Sequence, residues 1–519
     1  MGAPLLGEEL GSEREHGRLP GRVKGVVFAV CVALSSGPDD NATQTAWPSA
    51  QRGVGMLLRF RVTNHASLRD EQALSLIADG VRRPDRAERS VPGSSHHAVP
   101  VAAVYGPNAS GKSNALGAVM WMRWAVLSSF RSWDPGGGVP RRPFQLRSDP
   151  GAFPSTYEMD LVVDGTRYEY GFTVDDEKVL EEWLFYFPEG NRRRLYERTG
   201  DGPASVKFGR WLTGRRKTIS ELLRPNSLYL SVAAAQGHER LGVLYRWFRN
   251  GIRVATDNDF AERLDFTVEL FRRPADGEVR QMPASLAELL RFADLGVEGL
   301  HVRDQDEHMK AEQGRVTEAL EKALGKRLRR VEGFPRHRVQ VEHRTHEGVF
   351  GLDIHEESSG TRTWIGMLGP VVVSLRDGGV LCVDELDARL HPYLTDALVG
   401  LFQNPETNRN GAQLVFTTHE ASLLGGNART ELFRDQIWFT EKDADTCATR
   451  LFPVTDFHVR DSRAAKDNIE KRYLSGRYGA LPYLDDALLK RLVNDLSSGG
   501  AHGAGKVADP GEKSAPGAA

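Results

Sequence analysis

The chain has 519 residues, a formal net charge of -2, and hydrophobic and charged fractions of 40% and 27%. This length allows two or three folding units around a large core, and the balanced charge excludes a bulk attraction to nucleic acid or membranes. Cys31, Cys382 and Cys447 have neither paired spacing nor a C-x-x-C motif. We therefore expect a reducing, cytoplasmic compartment, without a disulfide scaffold or a cysteine zinc site.

Residues 1–55 differ from the rest because they are rich in Gly, Ser, Pro and charge. The apolar run at 26–36 follows Arg22 and Lys24, which is typical of a signal peptide, although the run is too short to span a bilayer. The alternative is a disordered extension, or upstream sequence translated from a misplaced start. We favour this alternative, with Met56 rather than Met1 as the natural start, because regular patterning begins there.

The segment "LLRFRVTN" alternates apolar and polar residues like a half-buried strand, and "ALSLIA" predicts a second strand. A third apolar run, "VPVAAVY", leads directly into "GPNASGKSN" and then into a helical stretch. This strand–loop–helix order makes the G-x-x-x-x-G-K-S match a credible phosphate-binding loop.

Each residue type in this loop suits one part of ATP. Gly106 and Gly111 let the backbone N–H groups converge on phosphate oxygens. Lys112 is expected to reach the β- and γ-phosphates, and Ser113 to coordinate Mg²⁺. The predicted ATP-binding residues are Gly106, Pro107, Asn108, Ala109, Ser110, Gly111, Lys112, Ser113 and Asn114.

Two carboxylates follow a buried strand in "GGVLCVDELDARLHP". Asp384 is predicted to enter the Mg²⁺ shell, and Glu385 to orient and deprotonate the attacking water. A further strand, "AQLVFTT", ends at His419, which can hydrogen-bond the γ-phosphate. The alternative is a histidine that caps the strand end.

A second serine–glycine loop, "ESSGTR", precedes the helical segment "TWIGMLGPVVVSL" and predicts another anion site at a helix start. It cannot reach phosphates that the first loop already surrounds. We therefore expect it to close over the γ-phosphate held by another subunit, in an isologous dimer with two composite sites. Its residues are Ser358, Ser359, Gly360, Thr361 and Arg362.

Together these motifs resemble the ABC-related ATPases of restriction and abortive-infection loci (the RloA or AbiL type). The blocks that carry the resemblance are "RFRVTNHASLRDEQALSL", "YGPNASGKSN", "ESSGTR", "CVDELDARLHP", "FTTHEASLL", "FRDQIWFTEKD" and "EKRYLSGRYGALP". They extend from Met56 to about Pro482, and ordinary ABC transporters lack the last two. The resemblance implies an ATPase related in fold to RecF and to structural-maintenance ATPases, with a nuclease-like partner encoded nearby.

The resemblance also implies roles for single residues. It makes 358–362 the signature loop, places Asp387 near the dimer interface and makes His419 a switch histidine. Ser359 departs from the usual signature, which has two adjacent glycines, so the tightness of the contact between subunits stays open. In the wider superfamily a glutamine near residues 140–150 completes the metal shell, and Gln145 is the candidate.

The predicted fold is α/β, an ABC-type (P-loop) ATPase head with an antiparallel β subdomain and a mixed α/β insertion between the Walker motifs. We divide the chain into an extension (1–55), the first half of the head (56–149), the insertion (150–348), the second half of the head (349–495) and a disordered tail (496–519). In the insertion, "STYEMDLVVDGTRYEYGFTVDDEKVLEEWLFYFP" predicts antiparallel hairpins. "SLAELLRFADLGVEGLHV" and "GRVTEALEKALGKRLRR" predict helices that are too short for a coiled-coil arm.

Two further patterns each have two interpretations. Basic clusters at 192–194, 215–217 and 326–330 either line a nucleic-acid backbone when two subunits close, or form a solvated surface. Asp443 and Asp445 form a D-x-D after an apolar strand, as in Toprim nuclease metal sites. Too few residues precede them to supply the glutamate that such a site needs, so a hairpin turn is the prediction.

These motifs predict a cytoplasmic, Mg²⁺-dependent ABC-type ATPase without a membrane partner, which forms a homodimer around ATP. The resemblance adds that it gates a separate nuclease-like effector in defence against phage and foreign DNA. One alternative is a DNA-repair or chromosome-associated ATPase that acts on nucleic acid directly, which DNA-stimulated hydrolysis would indicate. Another is a transporter ATPase, against which the hairpins and the C-terminal block count.

Overall fold

The computed structural model describes residues 55–80, 83, 85–256, 259–271, 284–293, 296–304, 307–324, 337–426, 428–457, 469–481 and 486–497. The predictions for the N-terminal extension, for the basic cluster at 326–330 and for the tail from 498 onward lie outside these residues. The chain divides into a unit that ends at Ala480 and a second unit that begins at Leu481. No helix in the described part combines the length and the apolar composition that a membrane span requires.

The strands are β1 (Gly55–Thr63), β2 (Gln72–Ser75), β3 (Arg89–Ser90), β4 (His97–Ala98), β5 (Val101–Tyr105), β6 (Ser155–Val163), β7 (Thr166–Val174), β8 (Val179–Phe187), β9 (Arg193–Thr199), β10 (Val206–Phe208), β11 (Ile252–Ala255), β12 (Val297–Asp304), β13 (His337–Thr345), β14 (Gly348–Asp353), β15 (Val380–Val383), β16 (Gln413–Thr418), β17 (Ile437–Lys442) and β18 (Thr449–Pro453). The α-helices are α1 (Lys112–Ser128), α2 (Arg216–Ser220), α3 (Tyr229–Ala235), α4 (Glu239–Arg246), α5 (Phe260–Phe271), α6 (Ala284–Phe292), α7 (Glu307–Leu324), α8 (Ser359–Asp377), α9 (Pro392–Gln403), α10 (Ile469–Leu474) and, in the second unit, α11 (Asp486–Ser497).

A seven-stranded antiparallel sheet has the order β10-β9-β8-β7-β6-β1-β2. Phe60 and Val62 of β1 are buried while Arg59, Arg61 and Thr63 are partly exposed, as the alternating pattern predicts. Asp164 and Gly165 both have positive φ values, 50° and 72°, and form the tight turn between β6 and β7. The predicted hairpins are therefore confirmed, and β6 pairs with β1 across the boundary that we drew at residue 150.

A second sheet of six strands has the order β11-β15-β16-β5-β17-β18. β5, β15 and β16 are parallel and buried along their whole length, as expected for strands covered on both faces. Because the carboxyl ends of parallel strands lie at one edge, the segments after these three strands come together there. These segments are the phosphate-binding loop, the Asp384–Glu385 pair and His419.

A third sheet, β12-β13-β14, corrects one prediction. The helix expected over "SLAELLRFADLGVEGLHV" ends at Phe292, and the last part of the segment is strand β12. Val297 and Leu300 of β12 are buried, and the strand pairs with β13 over its length. Helical periodicity in this short apolar segment was overridden by strand pairing.

A buried carboxylate joins the antiparallel sheet to helix α3. Glu182 of β8 accepts hydrogen bonds from the hydroxyls of Tyr170 and Tyr196 at 3.1 and 2.8 Å. It also accepts the backbone N–H groups of Tyr229 and Leu230 at 2.6 and 3.1 Å. Burial raises the pKa of Glu182, and the charge of Arg198 and then the hydrogen bonds oppose that shift because they favour the charged form.

Replacing Glu182 by Ala should lower the free energy of unfolding by about 3 kcal/mol, because it leaves two buried hydroxyls and two buried N–H groups without an acceptor. Chemical denaturation followed by circular dichroism measures this. Glu181→Ala, an exposed neighbour on the same strand, is the matched control. Equal effects of the two changes would show that the buried carboxylate does not hold the sheet to α3.

Candidate nucleotide site

The phosphate-binding loop connects β5 to the first turn of α1. Gly111 is the N-cap of α1, with φ of 102° and without a side-chain cap, so the N–H groups of the first turn point at a prospective anion. A Cβ at Gly111 would overlap Thr449 Oγ1. Glycine is therefore required here both by the left-handed backbone and by the close approach of β18.

Hydroxyl groups of the β17–β18 hairpin support the back of this loop. Ser110 Oγ lies 2.6 Å from Thr440 Oγ1, and Thr449 Oγ1 donates to Ser110 O at 2.8 Å. Thr449 Oγ1 is also 2.7 Å from Ser67 Oγ, which accepts from Asn114 Nδ2 at 2.7 Å. The loop is thus held by residues from both ends of the first unit, and none of these threonines was predicted.

Lys112 lies in the loop with only 4% of its surface exposed. Its Nζ donates to the carbonyl oxygens of Gly106 and Pro107 at 2.9 and 3.1 Å. Burial lowers the pKa of Lys112, while the carboxylates of Glu385, Asp384 and Asp387 act in the opposite direction. A cation placed between a phosphate loop and carboxylates can neutralise phosphate charge.

Ser113 and Asp384 come together as predicted for a metal site. Ser113 Oγ donates to Asp384 Oδ1 at 3.1 Å, and Thr417 Oγ1 donates to the same oxygen at 2.6 Å. A hydroxyl and a carboxylate are oxygen ligands of the kind that Mg²⁺ uses together with phosphate and water. In the part of the chain that the structure describes, no cluster of three or more His, Cys, Asp or Glu side chains could hold a metal by protein ligands alone.

Glu385 is exposed next to this pair and has a left-handed backbone with φ of 52°, which is strained for a residue other than glycine. Its N–H donates to Thr417 Oγ1 at 2.7 Å, and the N–H of Leu386 donates to Thr417 O at 3.0 Å. Thr417 of β16 therefore orients both Asp384 and the strained turn that carries Glu385. Thr417 was not among the predicted site residues.

His419 follows β16 and is exposed. Its backbone N–H faces the Asp387 carboxylate at 3.4 and 3.2 Å, which leaves the imidazole available. Burial and, secondly, the charge of Lys112 lower the pKa of His419, so the neutral imidazole is favoured at pH 7.

The second serine–glycine loop begins helix α8. Ser358 is its N-cap, and Ser358 Oγ accepts the N–H of Thr361 at 3.1 Å. A Cβ at Gly360 would lie 2.9 Å from Arg389 O, so the loop packs against the segment that follows Glu385. Among the described residues, no hydrogen bond or salt bridge joins 358–362 to the phosphate loop at 106–114.

The family model described as "AAA domain, putative AbiEii toxin, Type IV TA system" matches residues 101–425, the segment that carries this site. The chain belongs to this AAA-domain family. It is therefore an ATPase of the P-loop class, and the predicted fold class and family relationship are confirmed.

Solved structures that match this chain include the SMC head domain from Thermotoga maritima, with 13% identity, a TM-score of 0.32, and coverage of 78% of this chain and 99% of that chain. The Smc head domain derived from Pyrococcus furiosus, bound to the C-terminal domain of ScpA, has 10% identity, a TM-score of 0.34, and coverage of 77% and 96%. The recombination mediator RecF with ATP has 12% identity, a TM-score of 0.31, and coverage of 78% and 100%. Comparison with curated proteins gives no significant match.

Two sequence candidates form no hydrogen bond with the Ser113–Asp384 pair among the described residues of this AAA-domain ATPase. Gln145 is exposed, and its Nε2 donates to Pro143 O at 3.1 Å, so its role as a metal ligand stays a prediction. Asp443 lies in the turn between β17 and β18, where its carboxylate accepts the N–H and the hydroxyl of Thr446 at 2.8 and 2.6 Å. The predicted hairpin turn at the D-x-D is confirmed.

Lys112→Ala should raise the pKa of His419 toward its ordinary value of 6.5, because both the nearby positive charge and part of the burial are removed. NMR titration of the imidazole signals measures this, with His419→Gln to assign the resonance. His238, whose pKa is lowered by burial without a contribution from Lys112, is an internal control that should not move. An unchanged His419 would mean that the lysine and the imidazole are not coupled.

Proposed function

We propose that this ATPase hydrolyses ATP with Mg²⁺ at composite sites of a homodimer, and that the ATP-bound dimer controls a separate effector. The observation that carries the proposal is the 3.1 Å hydrogen bond between Ser113 and Asp384, beside Lys112 and Glu385. It joins the phosphate loop to the carboxylate pair of a P-loop ATPase.

Each side chain has a distinct task in this proposal. Ser113 and Asp384 would hold Mg²⁺, which when bound supplies positive charge to the phosphate oxygens. Lys112 binds phosphate oxygens, and Glu385 accepts the proton of the water that attacks the γ-phosphorus while the bond to the leaving ADP oxygen breaks. His419 donates a hydrogen bond to the γ-phosphate from its neutral imidazole.

The packing of the second loop supports a site shared between subunits. The helix start at α8 supports the predicted anion site, and among the described residues it makes no hydrogen bond or salt bridge with the phosphate loop. Gly360 lies against Arg389, four residues after Glu385. If the loop at 358–362 binds a phosphate held by a second subunit, that phosphate would lie next to the turn that carries Glu385. Dimerisation would in this way be linked to hydrolysis.

The effector role rests on the family and on the resemblance of the sequence blocks. The family description names a toxin of a type IV TA system. Asp443, which comes closest to a nuclease motif in the sequence, uses its carboxylate to hold a hairpin turn. We therefore assign any cutting of nucleic acid to a separate nuclease-like protein, and the role to defence against foreign DNA.

A mixture of Lys112→Ala and Gly360→Asp proteins should recover roughly a quarter of the wild-type ATPase rate, although each is inactive alone. Half of randomly mixed dimers contain both proteins. In each of these, the intact phosphate loop of one subunit faces the intact second loop of the other, so one of the two sites is complete. Steady-state phosphate release on mixing measures this. A mixture that stays inactive, with both proteins shown to be folded and to exchange subunits, would contradict the shared site.

Glu385→Gln should lower hydrolysis by about 100-fold or more while keeping ATP binding, because it removes the general base. In ATP this variant should accumulate as a dimer and retain the effector in a pull-down from the native host, whereas Lys112→Ala should not. Glu431→Gln, a change at an exposed residue outside the predicted nucleotide-binding residues, is the matched control. If Glu385→Gln and Lys112→Ala recover the same proteins in the pull-down, the proposal that ATP controls an effector is contradicted, whereas the assignment as an ATPase is unaffected.

A further inference from the structure

A positively charged surface lies at the free edge of the antiparallel sheet, which is a different sheet from the one whose strands end at the nucleotide site. We call it the basic edge, and it consists of Arg193 on β9 and of Arg210, Arg215 and Lys217 on the turn and helix after β10. β10 is an edge strand, five strand positions from β1 in the sheet order. The two strands are therefore roughly 24 Å apart at the usual spacing between neighbouring strands.

Other arginines hold the turn that presents this charge. Arg216 donates to the carbonyl oxygens of Gly209 and Leu212 at 3.0 and 2.6 Å, and Arg240 donates to that of Trp211 at 2.5 Å. The N–H of Gly209 donates to Leu195 O of β9 at 2.8 Å. The turn is fixed to the sheet by these contacts, so the geometry of the basic edge is set before a ligand binds.

The four residues of the basic edge form no salt bridge with a carboxylate in the described part of the chain. Neighbouring cations do, since Arg192 pairs with Glu169 and Arg194 with Glu197. The guanidinium carbons of Arg193 and Arg210 are 4.5 and 4.7 Å from the ring centre of Trp211, so two charges without a carboxylate partner share one aromatic ring. Such an arrangement repels itself unless a polyanion neutralises it.

The aromatic rings of this region indicate which polyanion fits. Arg192 lies 3.6 Å over Phe185, Arg240 lies 4.3 Å over Tyr186, and two guanidinium groups lie over Trp211. Single-stranded nucleic acid is bound largely by stacking its bases on aromatic faces, and these faces already carry guanidinium groups. A duplex presents its phosphates and keeps its bases stacked inside.

We propose that the basic edge binds the sugar–phosphate backbone of duplex DNA, independently of base sequence. This goes beyond the ATP-controlled dimer, because the basic edge contains no residue of the nucleotide site. It gives the ATPase its own contact with DNA, whatever effector it controls.

The test compares two triple charge reversals that change the net charge equally. Arg210→Glu with Arg215→Glu and Lys217→Glu alters the basic edge, and the control is Arg338→Glu with Arg344→Glu and Arg376→Glu, which are exposed elsewhere. Fluorescence anisotropy of a short labelled duplex is measured over a series of salt concentrations, with the matching single strand in parallel.

Loss of three phosphate contacts should lower the dependence of log affinity on log salt by roughly 2.7, and affinity at low salt by at least tenfold. The control should bind like wild type, and the single strand should bind more weakly than the duplex. ATP hydrolysis without DNA should be unchanged in both variants, which shows that they are folded. The milder set Arg210→Gln, Arg215→Gln and Lys217→Gln replaces the first variant if that protein does not fold.

An unchanged salt dependence in the basic-edge variant would overturn the proposal. Binding of the single strand as tightly as the duplex, or more tightly, would also overturn it, because that result indicates a site for stacked bases. Binding of polyglutamate as tightly as the duplex would overturn it too, because that result indicates a surface that binds any polyanion. None of these outcomes bears on the mixing experiment for the shared ATP site, so the two proposals fail separately.

Discussion

The hydrogen bond from Ser113 Oγ to Asp384 Oδ1 joins residues 271 positions apart, and the nucleotide site depends on it. It can form only because β5, β15 and β16 run parallel, which brings the ends of all three to one edge of the sheet. Thr417 completes the arrangement, since its hydroxyl donates to Asp384 and accepts from the N–H of Glu385. One threonine thus aligns Asp384, the proposed metal ligand, with Glu385, the proposed general base, and the same contact holds the strained backbone at Glu385.

The C-terminal part of the first unit supports the same loop from behind. Thr440 and Thr449 of the β17–β18 hairpin hold Ser110, while Phe439 on the same hairpin stacks on Tyr473 with ring centres 5.4 Å apart. Tyr473 also contacts Tyr105, the last residue before the phosphate loop. Tyr473, which belongs to the block "EKRYLSGRYGALP", therefore packs against the residue that precedes the phosphate loop.

The molecule has two kinds of anion site that differ in physical character. The phosphate loop and the start of α8 use backbone N–H groups at helix starts, which suit a compact, multiply charged phosphate. The basic edge uses long, exposed side chains on a fixed turn, which suit an extended backbone with regularly spaced charges. The phosphate loop follows β5 of the six-stranded sheet, whereas the basic edge lies on β9 and on the turn after β10 of the seven-stranded sheet, so the proposed DNA contact uses no residue of the proposed nucleotide site.

Local sequence determined the strands that end at the site and the residues that follow them, because buried parallel strands are continuous apolar runs and a phosphate loop requires glycine at set positions. It also determined the hairpins of the antiparallel sheet and the turn at Asp443. Only the tertiary structure showed that the hydroxyls of Thr417, Thr440 and Thr449 support the site. The sequence around a threonine in a strand does not indicate a hydrogen-bond partner that lies far away in the chain. The same holds for Arg216 and Arg240, which resemble their neighbours in the sequence but are used to hold a turn. In strand β12 the local sequence was misleading. Its apolar residues have a helical period, but the segment forms a strand because it pairs with β13.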